Sequence, residues 1–367
     1  MSLRDRMNLP RGADPGSLYD RFGVTENPFP TSSQNTGNPH YELPSDAEAE
    51  NLLAQFLQNG RSQVLVVVGT QGVGKTNFLN HLETQLLDIR DDYKAQLVVR
   101  YLADPEPSFD GIIRAILQEI GPDHLSRLGA YVAGNKSVLD VVRSLDLRSA
   151  IRAVAAAPDD ASVQQHAMQW LLGFRLVNAT RDALGVSFRL DTVESRTSVL
   201  RDYVNVSIEA GLLKGVVLLL DELEKQAGVM GPTAVVRYLS AMRAIIDALP
   251  RGLTMVIAIT PDALRRYSSA LPAFRSRLEN QIDLLPLTNF EEASHLARFY
   301  ESDAKRKAME TKGGKPGKAT IVTDAELRSV YERAETESKR VGADGVRQRD
   351  FLNRVHKLAE EKFRASS

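Results

Sequence analysis

Residues 63–82 read QVLVVVGTQGVGKTNFLNHL. The stretch opens as an unbroken apolar run and then turns abruptly into glycines, a lysine and a threonine. A short apolar run bounded by glycine is the pattern of a parallel strand covered by helices on both faces. From Lys75 to about Ile89 the apolar positions take up helical spacing, so a helix is expected there. Between strand and helix, Gly69-Thr70-Gln71-Gly72-Val73-Gly74-Lys75-Thr76 fits G-x-x-x-x-G-K-[ST], in the strand–turn–helix context that this pattern requires.

Glycines at these positions let the backbone curl until its N–H groups point inward, making a concave cradle for phosphate oxygens. The positive end of the following helix favours the same anion. Lys75 is expected to reach the β- and γ-phosphates of ATP, and the Thr76 hydroxyl to hold Mg²⁺. A second stretch, GVVLLLDELEK at 215–225, supplies the complementary half. It is a buried strand ending in Asp221, which puts a carboxylate at the edge of the sheet where open α/β folds bind ligands. Asp221 is expected to bind Mg²⁺ directly or through its water. Glu222 is placed to polarise the water that attacks the γ-phosphate. Glu224 reads as a solvated or ion-paired residue rather than a second base.

The chain has 367 residues, 43% hydrophobic and 25% charged, with a formal net charge of −1. That is enough apolar material for a large packed core, and it carries no global positive field to advertise nucleic acid. Cysteine is absent, which removes disulfides, thiolate catalysis and cysteine-ligated zinc. The six histidines show no metal-ligand spacing. No apolar run approaches the ~20 residues that cross a bilayer. With no apolar signal segment near the start either, a cytoplasmic location is expected.

Residues 1–45 are rich in glycine, proline, serine and asparagine and read as an extended N-terminal arm. A nucleotide-binding core is expected over 46–288, opening on a helix capped by Ser45. Strand–helix alternation stops between about 121 and 212, where long stretches carry apolar residues at three- and four-residue spacing, the pattern of an all-helical insertion. It resumes with strands at 215–220 and 253–259. Three helices over 289–367 are expected to form a lid, the first two joined by the loop TKGGKPGKAT. The fold class is α/β: a three-layer parallel-sheet core with a helical insertion and a C-terminal helical lid.

The two motifs, the third strand TMVIAIT ending in Thr260, and the terminal helices together resemble the AAA+ ATPases. Within them, FGVTENPF before the phosphate loop and VRQRDFLNRVHKLAE near the C-terminus resemble the origin-recognition and STAND-like side. The stretch from WLLGF through DELEK resembles P-loop ATPases of bacteriophage-exclusion defence systems. The resemblance implies further roles. Thr260 matches the polar residue that orients the attacking water, although asparagine is commoner there and its replacement implies slower hydrolysis. In FRSRLEN, Arg277 matches the arginine that a neighbouring subunit inserts toward the γ-phosphate, with Arg275 as the alternative and pairing to Glu279 as the plain surface reading. Arg349, or else Arg347, matches the lid arginine that reaches the nucleotide. Asn27, Pro28 and Phe29 match a segment bordering the adenine, or simply anchor the arm.

An ATPase that hydrolyses the phosphoanhydride bond is therefore expected, assembling as a homo-oligomer with shared ATP sites and acting on or beside double-stranded DNA. The alternative is a slow nucleotide switch that binds a protein partner through 121–212. Lys305, Arg306, Lys307, Lys312, Lys315 and Lys318 form a basic cluster in or near a flexible loop, expected either to touch DNA phosphates or simply to be solvated.

Overall fold

A computed structural model describes residues 17–31, 37–103, 109–225, 230–278, 280–312 and 319–365. The chain divides into two compact units. One comprises 43–69 and 78–283; the other comprises 1–42, 70–77 and 284–367.

The larger unit is built on five parallel strands: β1 (Gln63–Val68), β2 (Gln96–Ala103), β3 (Leu213–Asp221), β4 (Leu253–Ile259) and β5 (Asn280–Asp283). Their order across the sheet is β2-β3-β4-β1-β5. β4 lies between β1 and β3, pairing Val68 with Ile259 on one side and Leu220 with Ile257 on the other. Every residue of β4 is buried, as expected of a central parallel strand covered on both faces.

Helix α1 (Ser17–Asp20) belongs to the smaller unit, and α2 (Pro44–Asn59) opens the larger one. Ser45 does not cap α2. Pro44 takes the first helical position, where its missing N–H costs nothing, and the Asp46 carboxylate accepts from the Leu43 N–H. Helix α3 (Lys75–Ile89) follows the phosphate loop, and α4 (Phe109–Gly134) follows β2. α4 is two helices in succession, because Gly121 sits at φ +79 and ψ 169 and Pro122 follows it.

The insertion continues with α5 (Leu145–Ala156), α6 (Ala161–Leu171), α7 (Asn178–Leu184) and α8 (Val193–Glu209). It contributes Leu128, Ile151, Trp170, Leu200 and Tyr203 to the same hydrophobic cluster as the strands. Its links are polar: the fully buried Asp202 accepts from the N–H groups of Arg143 and Ser144 at 2.8 and 2.7 Å, just before α5. After β3 come α9 (Pro232–Ala248), α10 (Pro261–Ala270) and α11 (Pro272–Arg275). Leu271 separates α10 from α11, because a residue preceding proline is driven out of the helical region.

The smaller unit contains α12 (Phe290–Lys312), α13 (Asp324–Arg340) and α14 (Gln348–Ala365). Phe22, Val24 and Phe29 of the arm share one hydrophobic cluster with Leu296, Tyr300, Tyr331, Phe351 and Phe363 of these helices. The Phe363 ring meets Tyr19 and Phe22 edge-on at centroid distances of 4.6 and 5.3 Å.

The basic cluster differs from the expected loop. Lys305, Arg306 and Lys307 lie on α12 and are paired within it: Lys305 with Glu301, Arg306 with Asp303 and Glu310, and Lys307 with Asp303. These are i,i+3 and i,i+4 contacts along one helix. The side chains of Lys312, Lys315 and Lys318 lie outside the described residues. Among the described residues, no helix is long and apolar enough to cross a membrane.

Candidate functional site

Because β1, β3 and β4 are parallel, their C-terminal ends share one edge of the sheet. Three expected site residues sit at or just past those ends: Gly69 after β1, Asp221 closing β3, and Thr260 after β4. The Gly69 N–H donates to the Ile259 carbonyl at 3.1 Å, which fixes where the loop leaves the sheet.

The segment 70–77 carries the conformations that the glycine pattern calls for. Gly72 has φ +88 and Gly74 has φ +106, both in the left-handed region closed to side chains. Val73 is fully buried and its N–H donates to the Thr70 carbonyl at 3.4 Å, while Thr70 and Gln71 are exposed. Lys75 is 7% exposed, with Nζ 3.5 Å from the Thr70 carbonyl. Thr76 lies in the first turn of α3, and the next residue, Asn77, holds the arm: its amide donates to the carbonyls of Asn38 and Pro39, both at 3.4 Å, and its Oδ1 is 2.7 Å from His40 Nδ1.

The same compact unit brings the start of α14 against this loop. The Arg349 N–H donates to the Gly72 carbonyl at 3.0 Å. A Cβ on Gly72 would stand 3.3 Å from that of Arg349 and 3.7 Å from that of Arg347; one on Gly74 would stand 3.1 Å from Gln348 Oε1. Both lid arginines thus border the loop, with exposed side chains. Gln348 was not singled out from sequence, although it lies between the two arginines that were.

At the end of β3, Asp221 is 1% exposed. Its Oδ1 accepts from the Glu222 N–H at 2.8 Å and its Oδ2 from the Tyr101 hydroxyl at 3.0 Å. Burial first, then the charge and hydrogen bond of Asp221, push the Tyr101 phenol far above its usual range, so it is a donor at any ordinary pH. Glu222 has φ +51, the one non-glycine residue with positive φ among those described. Such a conformation costs of order 1–3 kcal/mol and persists where the surroundings over-determine it. Here the chain turns back, with the Lys225 N–H donating to the Glu222 carbonyl at 2.9 Å and the Tyr267 hydroxyl to the Leu223 carbonyl at 2.8 Å. The half-exposed Glu222 carboxylate pairs with the Lys225 ammonium.

The remaining expected residues carry structural contacts. Thr260 is the N-cap of α10, its Oγ1 accepting from the Ala263 N–H at 3.4 Å. Arg277 donates from Nε to Asp247 Oδ1 at 2.5 Å, and Asp247 also holds Arg243 at 3.1 Å. Glu279, the partner considered for Arg277, lies outside the described residues. Arg275 donates to the Leu278 carbonyl at 3.1 Å. In the arm, the Asn27 amide donates to the His356 carbonyl at 3.0 Å and to Glu360 Oε1 at 2.9 Å, and the Phe29 carbonyl accepts from His356 Nδ1. Phe29 is 1% exposed and offers no open face to a base. These contacts are those of an anchor at Asn27 and Phe29.

A five-stranded parallel sheet with β4 between the loop strand and β3, a glycine-rich loop leading into a helix, a buried aspartate closing β3 and helices after the last strand are the arrangement of the AAA+ P-loop fold. Within that class, the family model described as BREX system ATP-binding protein BrxC/D matches residues 133–310. This is just under half of the chain, beginning in the insertion and ending in α12, and the chain is similar to that family over it. Among solved structures, the ORC2 protein of Aeropyrum pernix (ADPNP–ADP complexes) aligns at 14% identity and TM-score 0.42, covering 91% of this chain and 72% of its own. CDC6P from Pyrobaculum aerophilum aligns at 16% identity and TM-score 0.37, covering 88% and 68%. No curated protein sequence matches the chain at a significant level.

Proposed function

We propose that this protein binds and hydrolyses ATP with Mg²⁺, and that the nucleotide state controls its assembly on or beside DNA in a phage-defence system. The observation that carries the hydrolytic reading is the buried aspartate that closes β3 on the sheet edge where Gly69 follows β1. The loop N–H groups and Lys75 bind the phosphates, and Thr76 and Asp221 would hold the metal. A hydroxyl and a carboxylate are hard oxygen donors, and so small a set suits Mg²⁺, which takes its other positions from phosphate and water. When bound, the ion neutralises charge that develops on the transferred phosphoryl oxygens. Glu222, turned out of the strand by its left-handed backbone, accepts the proton of the attacking water. Arg349 and Arg347 border the loop and are suited to report nucleotide from the lid.

The BREX similarity supports the defence setting, and the family resemblance supports shared sites completed by Arg277. The ion pairs of Lys305, Arg306 and Lys307 along α12 support the solvated reading of this cluster over DNA contact. A second reading, the slow switch that binds a protein partner, draws on one observation. The insertion exposes Leu145, Phe174, Val177 and Phe188 by 73, 50, 70 and 75%. Aromatic and aliphatic groups so exposed are the material of protein interfaces.

The test is ATP turnover and mass photometry of the parent, Lys75→Ala and Glu222→Gln, with and without ATP and double-stranded DNA. Lys75→Ala should lose nucleotide binding. Glu222→Gln should keep binding, lose turnover and accumulate the assembled state. Turnover by Glu222→Gln at the parental rate would sink the base assignment. A single mass under every condition would move the reading to the switch.

A further inference from the structure

We infer that Tyr101 is a positioning residue for the metal-binding carboxylate, acting through Asp221; the inference rests on the nucleotide reading above. In the register of the sheet, Tyr101 stands opposite Leu219, and Ala103 opposite Asp221. Residues two apart on a strand share a face, so Tyr101 and Asp221 lie on one face, a single step out of register. A small or aliphatic side chain cannot span that diagonal with a polar atom. Tyrosine does, and its hydroxyl reaches Asp221 Oδ2 at 3.0 Å.

The other oxygen, Oδ1, accepts from the Glu222 N–H at 2.8 Å. With a donor on each oxygen, the carboxylate plane is fixed. Asp221 is 1% exposed, so bulk water does little to orient it. The residue directly opposite Asp221 is Ala103, which has no donor to offer. Outer-sphere groups of this kind set the direction and basicity of the ligand they hold, and their loss typically weakens metal affinity by ~10–100-fold.

The test measures equilibrium ATP affinity of the parent and of Tyr101→Phe, in excess Mg²⁺ and in EDTA. Phenylalanine keeps the ring and removes only the hydroxyl. The Mg²⁺-dependent gain in affinity should fall about tenfold in Tyr101→Phe, while affinity in EDTA stays parental. Asp221→Asn marks the limit at which the gain is lost. An unchanged Mg²⁺ gain in Tyr101→Phe overturns the inference alone. Equal weakening in Mg²⁺ and EDTA also overturns it, because the hydroxyl then serves folding and not the metal. A parent that binds no ATP in either condition overturns the nucleotide reading, and this inference with it.

Discussion

The backbone N–H of Arg349 donates to the carbonyl of Gly72 at 3.0 Å, so the first turn of α14 is bonded to the backbone of the phosphate loop. The loop is therefore closed on two counts. Its glycines hold left-handed φ values of +88 and +106, and the space beside them is filled by Arg349, Arg347 and Gln348. Gly72→Ala and Gly74→Ala should each lose ~1–3 kcal/mol of stability from backbone strain, together with most ATP affinity. Gly134→Ala is the control: nothing stands within 4 Å of its Cβ position, and its effect should stay within about 1 kcal/mol. Denaturant unfolding and ATP titration of the three variants check this.

His124 gives a pH dependence with a definite sign. It is 1% exposed, with Nδ1 2.9 Å from Gln96 Oε1 and Nε2 2.9 Å from Ser207 Oγ, an arrangement that suits the neutral ring. Burial, and then the charge of Arg127, push its pKa from 6.5 down to about 4. The unfolded chain therefore binds the proton more readily than the folded one. The stability tied to the neutral ring is present above pH 6.5 and is lost as pH falls toward 4. Between about pH 7.5 and 5 the loss should be ~2 kcal/mol. His124→Gln, measured by denaturant unfolding at both pH values, should show a correspondingly flatter dependence.

The phosphate loop and the acidic strand end were legible in sequence because each is a local pattern: apolar residues to fix the strand, then chemistry at fixed offsets. The order of the sheet was not, since β4 enters between β1 and β3 from far along the chain. Tyr101 was hidden for the same reason. It looks like one more strand residue until the register brings it to Asp221, 120 positions away. Lys305, Arg306 and Lys307 differ in the opposite direction, read with the loop but folded into α12. Their carboxylate partners sit three and four residues away in sequence, a helical pattern that their nearness to the glycine-rich loop obscured.

The arm separates two readings of Phe29. Its ring is buried among lid residues, and its carbonyl is held by His356. Phe29→Leu keeps an apolar plug of similar size and removes the aromatic face, at a cost of ~1 kcal/mol or less. ATP affinity should stay within about twofold of the parent, since ~1.4 kcal/mol would be needed for a tenfold change. Phe29→Ala should instead cost ~3–5 kcal/mol by leaving a cavity under the lid. A tenfold loss of ATP affinity in Phe29→Leu, with stability retained, would reinstate the adenine contact.

Arg277 is held by Asp247 within its own chain, and a role in a neighbour's site requires that this half-exposed pair open. Exposed ion pairs are worth at most ~1 kcal/mol, so the pairing is no barrier to such a role. Arg277→Ala should keep ATP affinity and lose turnover by ~10³-fold, the lower end for an arginine that stabilises charge on the transferred phosphoryl group. Mixed with Glu222→Gln, itself inactive, it should regain activity, because the Glu222→Gln subunit offers its arginine to the intact glutamate of its neighbour. Arg275→Ala loses the hydrogen bond to the Leu278 carbonyl and should lower stability more than turnover. An inactive mixture would place Arg277 in its own subunit's chemistry or in none, and would leave nucleotide-driven assembly without its shared site.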